Sequence, residues 1–200
     1  MPYEFQPDRA VNPHTGKEAD IFRLSSYEHD EVPGELSEVW LGDKQIQLPS
    51  HIMKTMARFD ELDRELRERN MFDCGSFALA CTTGEIPENL DFNPDGSHCL
   101  YHSSLPFNPE HDQASLLPGD IVLTLDTDTI NDPAMLYHHF MVRVTTADHD
   151  GEPLYAAQLG AGGTMALHNF EQGSHLFNGK TAWEVYELYA VPTTDLPQSQ

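Results

Sequence analysis

Along the chain the spacing of apolar side chains changes character twice. Residues 1–37 scatter Pro2, Pro7, Pro13, Pro33 and Gly34 among charged positions and hold no sustained period, which predicts an irregular N-terminal arm. Val39-Trp40-Leu41 and Gln45-Ile46-Gln47-Leu48 then flank Gly42-Asp43-Lys44, a short turn tolerant of positive φ, and read as a β-hairpin. After a cap at Pro49-Ser50, Ile52, Met56, Phe59, Leu62 and Leu66 recur on one side of a helical period amid Lys, Arg, Asp and Glu. This predicts an amphipathic helix whose apolar stripe packs into a core. A second helix starts near Asp73, runs through Phe77-Ala78-Leu79-Ala80-Cys81 and ends at Thr82-Thr83-Gly84; short and mostly apolar, it is expected to be buried.

Residues 84–118 return to Pro, Gly and Asn without a period and read as a long loop with room for a helical turn. From Pro118-Gly119-Asp120 onward the period becomes two, at Ile121–Leu125, Phe140–Val144, Leu154–Leu159, Thr164–His168 and Trp183–Val191, the pattern of an antiparallel sheet. Asp148-His149-Asp150-Gly151 and Gly160-Ala161-Gly162-Gly163 suit the turns between neighbouring strands. The glycine run follows one strand and leads to another, so it offers no helix N-terminus to a phosphate. Helices followed by strands predict an α+β fold: one domain over 38–191, with a flexible tail at 192–200.

Composition narrows the partners. Eleven Lys and Arg face 33 Asp and Glu, a formal charge of -22, and such a field repels phosphate backbones and anionic membranes. Nucleic acid is not expected as a partner. No apolar run is long enough to span a bilayer, so membrane insertion is not expected either. The opening MPYEFQPDRA has neither the basic nor the apolar region of a secretory signal, which predicts a cytoplasmic chain as synthesised, leaving signal-independent routes of export. Three cysteines in 200 residues do not make a disulfide framework. Nothing in the composition speaks to oligomeric state.

One cysteine stands where chemistry is easy. Cys74 in Phe72-Asp73-Cys74-Gly75-Ser76-Phe77 falls at the start of the second helix, where the helix dipole and a nearby imidazole would together favour thiolate. Gly75 and Ser76 leave room for a substrate carbonyl, and the Cys74 N–H could donate to its developing oxyanion. An adjacent pair, His138-His139, precedes Phe140-Met141-Val142; strand alternation sends the two to opposite faces, so only one can meet Cys74. Cys81 sits among Leu79 and Ala80 and reads as a buried thiol, and Asp120 reads as a turn residue. His98-Cys99-Leu100-Tyr101-His102 with His111 contains zinc-ligand types, but the spacing matches no strong zinc pattern and reads as an exposed histidine-rich loop. No metal or cofactor is expected.

These segments resemble the NlpC/P60 family and its CHAP and lecithin-retinol acyltransferase-like relatives, on three stretches in order: Met71–Phe77 around the cysteine, Gln113–Leu123 with its Pro-Gly-Asp, and His138–Val144. The resemblance covers roughly residues 70–190. It implies a papain-like architecture, N-terminal helices packed on an antiparallel sheet, with Cys74 as nucleophile and His139, directly before the apolar run, as base. Gln158 in Tyr155-Ala156-Ala157-Gln158-Leu159 fills the third position, which orients the imidazole. The implied activity is a cysteine hydrolase acting on an amide or peptide bond, with a peptidoglycan peptide as the substrate suggested by family. Two departures bear on substrate: Arg67-Glu68-Arg69-Asn70 replaces the family's Gly-rich, Tyr-containing stretch, and Gly75-Ser76 inverts its usual Ser-Gly order. An acyltransferase, or a non-catalytic binding module on the same scaffold, are the alternatives.

Overall fold

The computed structural model describes residues 2–12, 16–27, 35–66, 74–83, 105–106, 109–126, 138–145, 152–159, 163–178 and 186–191. Its strands, in chain order, are β1 Tyr3–Val11, β2 Glu18–Ser26, β3 Leu36–Leu41, β4 Lys44–Pro49, β5 Leu105–Pro106, β6 Ile121–Asp126, β7 His138–Arg143, β8 Leu154–Leu159, β9 Thr164–Asn169 and β10 Tyr186–Val191. Its main helices are α1 Ser50–Leu66, α2 Cys74–Thr83 and α3 Phe170–Asn178. A helical turn, Pro109–Asp112, precedes β6. The fold is mixed α+β, and its strands form one ten-stranded sheet in the order β4-β3-β1-β2-β9-β8-β7-β6-β10-β5. Every neighbouring pair is antiparallel except β1 with β3.

The expected irregular arm is corrected: much of residues 1–37 is sheet. β1 and β2 pair from Glu4↔Ser26 to Val11↔Glu18, and β1 lies between β2 and β3. Tyr3, Phe5, Ile21 and Leu24 are buried, while most of the remainder of both strands is exposed. So few buried positions leave little periodicity to read. Pro7 is compatible with a strand here because the β3 pairing stops at Phe5, which makes that part of β1 an edge. β2 joins the rest of the sheet through the pairs Phe22↔Leu167 and Arg23↔Ala166.

The hairpin expected at 39–48 forms as β3 and β4, turning at Gly42, whose φ of 61° suits glycine. On α1 the expected positions Ile52, Met56, Phe59 and Leu62 are buried, with Met53 and Ala57 beside them. α2 buries Cys74, Phe77, Ala78, Ala80 and Cys81, and it fits between α1 and the sheet; the Phe59 and Phe77 rings meet edge to face at 5.6 Å. Four strands precede these helices, so they are not N-terminal in the strict sense expected. α3 had no counterpart in the apolar spacing. The tail at 192–200 and most of the loop at 84–118 fall outside the described residues.

Each face of the sheet has its own cover. Phe140, Val142, Leu154, Ala156, Met165 and Leu167 point to α1 and α2 and share one core with them. The alternate residues Met141, Tyr155 and Ala157 pack with Phe170 of α3, and Ala166 packs with Leu176. Among the described residues no helix is long and apolar enough to cross a membrane.

Candidate active site

Cys74 is the first residue of α2, a ten-residue helix whose opening N–H groups have no partner within the helix. The positive end of the helix therefore lies at Cys74. The thiol is 7% exposed and shares its core with Phe140 and Ala156, and α2 packs against β7 and β8. Cys81, two turns along the same helix, differs. Burial pushes its thiol well above the usual range, and a hydrogen bond with Thr55 offsets this in part. One helix thus holds a buried cysteine at its first residue and another in its last turn.

β7 decides which histidine shares the Cys74 face. Phe140 and Val142 belong to the core under α2, whereas Met141 belongs to the cluster under α3. His139 has the alternation of Met141, is wholly buried, and has its ring centre 5.8 Å from that of His168 on β9, the two rings tilted by 38°. This corrects the expectation that His139 serves Cys74: it lies on the opposite face of the sheet. The physical reason is the two-residue repeat of a strand, in which adjacent residues cannot share a face. Position 138 has the alternation of Phe140 and Val142 and so belongs to the α2 face; its side chain is outside the described residues.

Gln158 is wholly buried on β8 and alternates with Ala157, which puts it on the face of Leu154 and Ala156. The β7–β8 register is Val142↔Ala156 and Arg143↔Tyr155, and Gln158 lies two residues beyond Ala156, on its face. Cys74, Gln158 and position 138 therefore come to one face, and His139 does not.

The Pro118-Gly119-Asp120 turn behaves as its sequence suggests. Gly119 takes a φ of 100°, the Asp120 carboxylate accepts from the Leu117 N–H at 2.7 Å, and the turn exchanges backbone hydrogen bonds with Arg143. Among the described residues no group of three or more His, Cys, Asp or Glu could hold a metal; His111 is exposed, and His98, Cys99 and His102 lie outside those residues.

Sequence reasoning missed the polar residues buried under α3. His168 is wholly buried, with Nδ1 2.8 Å from the Asn169 carbonyl oxygen. A carbonyl only accepts, so Nδ1 carries the proton and Nε2 the lone pair. Burial lowers its pKa to about 4, only partly countered by that hydrogen bond, and Nε2 has no hydrogen-bond partner among the described residues. Arg143 is also fully buried: its guanidinium donates to the carbonyls of Thr145 and Gln113 and to the Tyr155 hydroxyl, and lies 5.4 Å from the centre of the Tyr155 ring. Their alternation with Met141 and Ala166 was the signal that could have found them. No family model, curated protein or solved structure matches the chain.

Proposed function

We propose that the chain is a cysteine hydrolase of amide or peptide bonds on a papain-like scaffold, with Cys74 as nucleophile, His138 as base and Gln158 orienting the imidazole. The observation that carries this reading is the start of α2 at Cys74 on the face to which strand alternation assigns both position 138 and Gln158. His138 takes the Sγ proton, and the thiolate adds to the substrate carbonyl. The Cys74 N–H and the first turn of α2 donate to the oxyanion. Collapse of the adduct breaks the C–N bond, the imidazolium protonates the departing amine, and water, deprotonated by the same imidazole, cleaves the thioester to a carboxylate and restores the thiol. The substrate class, a peptidoglycan peptide, rests on family resemblance alone.

One observation favours a second reading: at 7% exposure Cys74 offers little surface to a substrate, as in a binding module that has kept the scaffold. Iodoacetamide labelling against pH separates the two. An ion pair with His138 predicts rapid labelling of Cys74 well below the ordinary thiol pKa of about 8.5, lost in His138→Ala and retained in His139→Ala. Cys81 supplies an unreactive reference within the same helix. Ordinary or slower labelling of Cys74 in the native chain would favour the binding module.

A further inference from the structure

Two side chains under α3 are buried with polar atoms still to satisfy. His168 is wholly buried and commits its Nδ1–H to the Asn169 carbonyl, so Nε2 presents only a lone pair. Ser174 is 3% exposed. Its hydroxyl does not take the usual outlet of a helical serine, the carbonyl four residues back, which here is that of Phe170. Neither the His168 Nε2 nor the Ser174 Oγ has a hydrogen-bond partner among the described residues.

Gly173 is what brings the two groups near each other. It lies against the His168 ring, so that a Cβ added there would stand 2.4 Å from Cε1, 2.8 Å from Nδ1 and 3.3 Å from Nε2. Ser174 is the next residue, and its burial turns it to the sheet on which α3 packs, β7 and β9 included. The absence of a side chain at Gly173 thus sets the helix close to the imidazole, and the neighbouring hydroxyl comes with it. The ring of His139, with its centre 5.8 Å from that of His168, borders the same region.

Whatever satisfies both atoms must give a proton to Nε2 and exchange a hydrogen bond with a hydroxyl. A metal cation would need more ligands, and among the described residues no group of three or more His, Cys, Asp or Glu offers them. Water meets both demands: it donates through one hydrogen and accepts through its oxygen, and roughly two to four such contacts hold an internal water in a protein. We propose that one internal water is a fixed component of this face, donating to Nε2 of His168 and accepting from the Ser174 hydroxyl, so that it ties α3 to β9. Burial keeps His168 uncharged down to about pH 4, so the lone pair that receives the water persists across the neutral range. The site lies on the side covered by α3 and does not depend on any chemistry at Cys74.

A crystal structure of the whole chain at a resolution that orders solvent tests this directly. It is expected to show one water within hydrogen-bond distance of both Nε2 and Oγ. Density that sets the Ser174 hydroxyl directly on Nε2, or that gives the two atoms separate partners or none, overturns the proposal. In solution, magnetisation transfer from a slowly exchanging water to the ring protons of His168 is expected, and its absence counts equally against the site. Ser174→Ala supplies a test by sign. If the hydroxyl holds a water, the variant removes one of its two named holders and lowers the folding equilibrium constant by about 5-fold in denaturant titrations. If the hydroxyl is merely buried and unsatisfied, alanine relieves it and the constant rises. An unchanged or raised constant overturns the proposal.

Discussion

The two faces of the sheet are closed by different means. Under α1 and α2 lies a broad apolar core, with Cys74 at the start of α2 and Gln158 buried on the same face of the sheet. Under α3 the apolar contacts are fewer, and His139, His168, Arg143 and Ser174 are buried among them. A face held by hydrocarbon responds weakly to pH, and a face that buries the uncharged imidazole of His168 answers to it directly. The difference shows how one strand can serve two faces: β7 gives Phe140 and Val142 to the core under α1 and α2, and His139 and Met141 to the side covered by α3.

The largest effect that could break this comparison is chemical. If the α2 face carries catalysis, His138→Ala should lower Cys74-dependent turnover by roughly 10²–10⁴-fold. His139→Ala should leave turnover near that of the parent while lowering the melting temperature; the reverse assignment of losses would show that the faces have been exchanged.

Next comes acid. His168 has a pKa near 4 in the fold against 6.5 when unfolded, so the unfolded chain takes up the proton first as pH falls. Its stabilising contribution is therefore whole above pH 6.5, is lost progressively from there to about pH 4, and amounts to about 3 kcal/mol. Denaturant midpoints measured across that window should decline in the parent, and His168→Asn should flatten the decline.

Smaller effects refine the picture of α3. In Gly173→Ala the new methyl would push into the His168 ring, at an expected cost of about 1–3 kcal/mol in thermal or denaturant unfolding. Asn169→Ala removes one half of a reciprocal pair in which the Asn169 side chain accepts from the Gln172 N–H and the Gln172 side chain accepts from the Asn169 N–H, both at 2.8 Å. Its cost should be about 1 kcal/mol. On the α1 side, breaking the exposed Arg58–Glu61 pair with Glu61→Gln should shift stability by less than about 0.5 kcal/mol.

Legibility in the sequence followed burial. Where a segment packs along most of its length, as α1, α2 and β7–β9 do, the period of its apolar residues marked it out. β1 and β2 bury few side chains, and their prolines and charges outweighed the short alternation at Tyr3 and Phe5. α3 interrupts its apolar residues with Gly173 and Ser174, which pack closely but look like breakers; Asn169-Phe170-Glu171-Gln172 was its usable signature. For the candidate site the strand register was misread. Residue kind and order single out Cys74 and Gln158 as candidates, but the choice between adjacent histidines depends on which side of β7 the Phe140 ring packs, a fact of tertiary structure.

Asn12 donates from its side chain to the Leu176 carbonyl at 2.8 Å, joining residues 164 positions apart. A ribosome makes the first of these long before the second, so the opening hairpin must await β9 and α3 before its buried amide finds that acceptor. Until then the β2 margin that meets β9 exposes unpaired backbone, and a chain stalled before residue 176 would be a ready target for chaperones.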